Sequence, residues 1–183
     1  MSSNPKIDVS RFIKQEGNTC GAHSIYNYLV LIGEIASNQD PDTQRTIIQS
    51  IYKRIISEQT REAALPNLML AVLKESVPSI TLYGSKEFQS KLDELCRQLG
   101  IAAEINYADN LLSNVLAKGQ YGIALWNTKE EFPPLTQLAT MHYTVVYKNA
   151  DGDIYALDSN CPDKGWQLVG PQFTLHFMGL LFA

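Results

Sequence analysis

The sequence predicts an α+β domain, and three observations predict it. Apolar residues recur at helical spacing through the first part of the chain. After Pro78 they gather into short runs rich in β-branched and aromatic residues. No repeat, linker or low-complexity tract divides the 183 residues, so 1–183 read as one domain. Helices followed by antiparallel strands place an N-terminal helical part against a C-terminal sheet, and a chain of this length can bury one core.

The elements follow in order. Residues 18–35 read as a helix entered at Thr19 or Cys20, with Ala22, Ile25, Tyr26, Leu29, Val30 and Ile32 as a broad apolar stripe. After a turn at Asn38 to Pro41, Asp40 or Asp42 caps a second helix running to about residue 57, with Ile47, Ile48, Ile51, Ile55 and Ile56 on its buried side. Residues 65–75 form a third, with Pro66 in its first turn. Residues 79–83 and 102–107 read as strands, 88–99 as a helix stopped by Gly100, and 111–118 as a short helix ended by Gly119. A strand at 121–126 leads into a loop at 127–140. Strands at 141–147 and 153–157 flank Asn149-Ala150-Asp151-Gly152, a strong hairpin signal. The tail from 166 to 182 supplies one or two more strands, including 174–181.

Composition narrows the function classes. A hydrophobic share of 45% against 19% charged fits a packed globule and argues against disorder. The net charge is −4, with no basic stripe, zinc-finger spacing or RNA-binding aromatic motif, so nucleic acid is not an expected partner. No apolar stretch is long enough for a membrane span, and Met1 to Lys6 lacks the apolar run of a signal peptide. Cys20, Cys96 and Cys161 are sparse and widely spaced, which suits a reducing compartment and neither a disulfide framework nor structural zinc. The expectation is a protein made in the cytoplasm, which a non-cleaved signal would also allow to be delivered to a target cell. The oligomeric state is left open.

Chemistry concentrates at two places. Cys20 stands at the start of the first helix, where free N–H groups and the helix dipole favour a thiolate. Gly21 follows and, lacking a side chain, would let a substrate carbonyl come close to the backbone. Gln15 lies five residues upstream in a polar loop, where its amide could donate to an oxyanion beside the Cys20 N–H. Taken alone, each has a blander reading: a small core cysteine and a solvated loop glutamine.

The second place is the hairpin. His142 opens an apolar strand, an unusual setting for an imidazole without a polar partner. With three or four turn residues it falls opposite Asp158, or one position off, so that Asp158 can hold the ring N–H. His142 would then act as general base and acid for Cys20. Asn160 is the rival orienter, set aside because that register brings Asp158 closer. Cys161 is a bystander or a redox partner of Cys20, His23 a packing or hydrogen-bonding residue near the site, and His176 structural.

The pattern Gln15, Cys20-Gly21-Ala22-x-Ser24 on a helix, His142-Tyr143-x-Val145-Val146 on a strand and Asp158 after the next resembles the papain-like cysteine peptidases. The stretch from Lys14 to Leu29, with its five-residue step from Gln to Cys, resembles the Josephin deubiquitinases. The stretch from His142 to Asp158 is similar to the bacteriocin-processing double-glycine peptidases, with Asp158-Ser159 where those have Asp-Pro. The resemblance implies a papain-like fold with a cleft between helices and sheet. It also implies catalysis by Cys20, His142, Asp158 and Gln15 without metal or organic cofactor, and a protein or peptide substrate. The expected function is a thiol peptidase or isopeptidase acting through a thioester. The alternatives are a glutamine deamidase or transamidase of bacterial-effector type, and a catalytically idle peptide-binding domain.

Overall fold

The computed structural model describes residues 8–56, 63–102, 104–127, 141–170 and 176–183. Among the described residues, five α-helices and a seven-stranded open sheet make up a mixed α+β architecture. The helices are α1 (Cys20–Leu31), α2 (Pro41–Ile55), α3 (Pro66–Ser76), α4 (Gln89–Leu99) and α5 (Leu111–Asn114). The strands are β1 (Leu82–Ser85), β2 (Asn106–Ala108), β3 (Tyr121–Asn127), β4 (Met141–Lys148), β5 (Ile154–Leu157), β6 (Gln167–Leu168) and β7 (His176–Phe182), in the spatial order β2-β1-β7-β3-β4-β5-β6.

α1 is the centre of the molecule. Every residue from Gly21 to Leu31 is buried, as expected of a helix apolar on nearly all sides. It packs on β3 and β4 on one side and on α2 and α3 on the other. Ile25, Tyr26 and Leu29 meet Ile55, Met69 and Leu73 from the helices and Ile123, Tyr143, Val145 and Leu157 from the sheet in one core. A smaller cluster of Leu111, Leu116, Ala124, Trp126, Val146, Ala156 and Leu181 holds α5 to the other sheet face. Strand alternation produces the two cores: Ile123 and Leu125 serve the first, Ala124 and Trp126 the second.

Local chemistry explains the boundaries. Asp40, rather than Asp42, caps α2 by accepting from Asp42 N and Thr43 N, both at 3.0 Å. Gly100 ends α4 with φ 64°, a left-handed conformation that favours glycine. The strand expected at 79–83 begins only at Leu82, because Ile80 N–H closes a turn on Val77 O at 3.0 Å. The helix expected to reach residue 118 stops at Asn114. Buried Lys148 holds the segment that follows, donating from Nζ to Ser113 O and, at 3.0 Å, to Leu116 O.

The sheet departs from the all-antiparallel expectation at one edge. β1 and β2 run parallel, with Tyr83 opposite Asn106, since the chain crosses over through α4 between them and parallel neighbours require such a connection. β3, β4 and β5 are antiparallel neighbours. Of the loop expected at 127–140, Asn127 is a buried member of β3 paired with Met141; 128–140 lie outside the described residues. Among the described residues no helix is long and apolar enough to cross a membrane.

Candidate active site

α1 and the β4–β5 hairpin bring Cys20, His142 and Asp158 together. Cys20 is the first residue of α1, half-buried at the edge of the main core. Thr19 precedes it but leaves the helix end uncapped, its hydroxyl donating instead to Glu16 O at 2.8 Å. His142, 8% exposed, is the second residue of β4. Its Nε2–H donates to Asp158 Oδ1 at 2.7 Å, and Cys20 is near enough to raise the proton affinity of the same imidazole. With Nε2 engaged by the carboxylate, Nδ1 is the ring nitrogen left for the sulfur.

The route by which Asp158 reaches His142 differs from the sequence argument. The hairpin pairs Lys148 with Ile154 and Val145 with Leu157. Extended by the same count, that register sets Asp158 opposite Thr144 and Asn160 opposite His142. The reason lies in the turn. Asn149 faces Asp153, its N–H donating to Asp153 O at 2.9 Å while its Oδ1 accepts from Gly152 N and Asp153 N, both at 2.8 Å, so the turn takes up only 150–152 and the pairing counts outward from there. Asp158 therefore meets His142 on the diagonal. β5 ends at Leu157, and Asp158 opens a turn in which its Oδ1 accepts Asn160 N at 2.8 Å and its carbonyl accepts Cys161 N at 3.1 Å. Asn160 is also close, its Nδ2 lying 3.5 Å from His142 Nε2. Cys161, by sequence a bystander or redox partner, directs its thiol at Asp158 Oδ2 from 3.6 Å.

Electrostatics follow from this packing. Burial by itself lowers the His142 pKa; hydrogen bonds to Asp158 and Cys20, and attraction to both, outweigh it and raise the value to about 9. The imidazole is thus protonated at neutral pH. Burial works in the opposite direction on Asp158, yet His142, the Asn160 N–H and the Cys161 thiol hold its carboxyl below the ordinary range. Cys161 is pushed up, first by burial and then by the Asp158 charge, so it stays a thiol and a donor.

Gln15 is anchored from two directions. Its backbone N–H donates to Ser159 O at 2.8 Å, and its Oε1 accepts from the Ser159 hydroxyl at 2.7 Å. Its Nε2 donates to Gly17 O at 2.8 Å, which uses one of the two amide protons. Sequence reasoning missed Ser159, a 1%-exposed residue. A serine beside an aspartate at a strand end carries no signal of a contact with residue 15.

Two other expectations change. Gly21 does not open the backbone to a substrate: it is buried against the helices, and a Cβ there would lie 2.6 Å from Ala64 Cβ and 3.2 Å from Ile55 Cδ1. His23 is a core residue, 4% exposed, with Nδ1 unpartnered among the described residues. Burial lowers its pKa to about 4 and keeps it neutral. The backbone of His176 opens β7 opposite Asn127. Among the described residues, no group of three or more His, Cys, Asp and Glu side chains is arranged to hold a metal ion.

No protein-family model, curated protein or solved structure matches this chain. The site therefore stands on its own geometry. A sulfur at a helix start, an imidazolium against it and a buried carboxylate behind the ring can activate a nucleophile and deliver a proton.

Proposed function

We propose that this chain is a cysteine-dependent hydrolase of papain-like type that cleaves the acyl C–N bond of a peptide, isopeptide or carboxamide. The observation that carries the reading is the convergence on His142 of Cys20 and Asp158, both of which raise the ring's proton affinity, with the Asp158 link measuring 2.7 Å. The succession of α1, α2 and α3 and the hairpin of β4 and β5 also suit the papain-like resemblance of the motifs.

The Cys20 sulfur, sharing its proton with His142, attacks the carbonyl carbon. The oxyanion that forms takes hydrogen bonds from the second Gln15 amide proton and from the Cys20 N–H at the uncapped start of α1. Collapse breaks the C–N bond as the imidazolium protonates the leaving nitrogen, leaving a thioester. The now neutral imidazole takes a proton from water, which attacks the thioester, releases the acid and restores the thiol. Asp158 keeps the ring in one orientation and stabilises its charged form.

The test is labelling at neutral pH with electrophilic peptide, ubiquitin-like and glutamine-mimic probes, followed by turnover of whichever class reacts. Cys20 is expected to carry the label. Cys20→Ala should retain the fold and lose turnover by on the order of 10⁶-fold, as nucleophile removal does elsewhere. Full activity in that variant, or a wild-type Cys20 inert to every probe, would sink the proposal.

A further inference from the structure

We propose that Ser159 is a positioning residue that fixes the Gln15 amide for oxyanion binding and couples it to the carboxylate that holds His142. The inference rests on the hydrolase reading above and adds a role for a residue outside the triad.

A glutamine amide is nearly symmetric in shape, so something must decide which end points where. Two groups decide it here. The Ser159 hydroxyl donates to Oε1 at 2.7 Å, and Gly17 O accepts from Nε2 at 2.8 Å. A flipped amide would set Oε1 against the Gly17 carbonyl oxygen, two acceptors facing each other. The backbone bond from Gln15 N to Ser159 O, 2.8 Å, fixes the loop itself. Ser159 is 1% exposed, so its hydroxyl does not trade this partner for bulk water. Its chain neighbour Asp158 meets His142. Two adjacent residues thus hold the oxyanion donor and the base, and the spacing between those groups is set by one peptide unit rather than by loop packing.

Two reagents separate this role from plain stability. Acylation by p-nitrophenyl acetate builds an oxyanion at Cys20, forming the C–S bond and expelling nitrophenolate. Alkylation by iodoacetamide also forms a C–S bond, expelling iodide, but builds no oxyanion. Deleting an oxyanion donor outright costs about 10²–10³-fold in rate, so loss of its orientation in Ser159→Ala should slow acylation about tenfold. Alkylation of Cys20, followed by peptide mass, should be unchanged in rate and pH profile. Gln15→Ala should slow acylation more, and adding Ser159→Ala to it should cost nothing further, since the pair acts as a unit.

Equal loss of both reactions, loss of neither, or additive losses in the double variant would overturn the coupling. If Ser159→Ala does not fold, Ser159→Cys fills the same space with a poor donor and faces the same outcomes. A wild-type chain whose Cys20 is neither acylated nor alkylated would overturn the hydrolase reading, and this proposal with it. A chain that reacts normally but ignores Ser159 overturns the coupling alone.

Discussion

Replacing Asp158 by Asn should lower the pKa of His142, and the structure sets the size of the change. The carboxylate accepts from Nε2 at 2.7 Å, and both side chains are largely buried, 10% and 16% exposed. Hydrogen bonds to a charged group contribute about 1.5–3 kcal/mol, equivalent to about one or two pKa units. The wild-type ring, lowered by burial and raised more strongly by Asp158 and Cys20, titrates at about 9. The variant keeps an acceptor of the same shape but no charge, so its midpoint should fall by about one to two units. The chain has 3 histidines, so the imidazole C–H resonances can be followed individually by NMR across the titration, with His142→Gln assigning the signal. Stability supplies a second reading. A base with a raised folded pKa contributes fully below its unfolded value of 6.5, and that contribution is lost as pH rises through about 9. The stability gap between wild type and Asp158→Asn should therefore narrow over that window. A His142 midpoint that stays put or rises in the variant would refute the claim that Asp158 holds the ring charged.

His23 should set part of the acid sensitivity. Its folded pKa is lowered by burial from 6.5 to about 4, so the unfolded chain binds the extra proton first. Stability should fall as pH drops through that interval by up to about 3 kcal/mol, and His23→Leu should lack that component in urea unfolding; parallel pH slopes would contradict it. Gly21→Ala should destabilise by about 1–3 kcal/mol through overpacking, because the new methyl would lie 2.6 Å from Ala64 Cβ. An unchanged melting midpoint would show that the helices give way freely there.

Much of the architecture was legible because local chemistry dictates it. The Asp40 cap, Pro66 in a first turn, the stop at Gly100 and the run of apolar residues in α1 act within a few positions of themselves. The hairpin at Asn149 to Gly152 was readable for the same reason, but its register was not. Asn149 closes the turn on Asp153 through its backbone N–H as well as its Oδ1, and the pairing of His142 follows from that count. The parallel edge of β1 and β2 was hidden as well, since strand direction depends on where α4 packs, not on the strand residues.

By itself the sequence determined which residues carry reactive groups and which segments form helices and strands, since these depend on side-chain chemistry and on periods of two or 3.6 residues. Only the tertiary structure decided how the groups meet. It turned Asp158 onto His142 by a diagonal contact, aimed the Cys161 thiol at the same carboxylate, buried Gly21 among helices and fastened Gln15 to Ser159. Contacts between distant residues are fixed by how whole elements pack, and no local pattern records that.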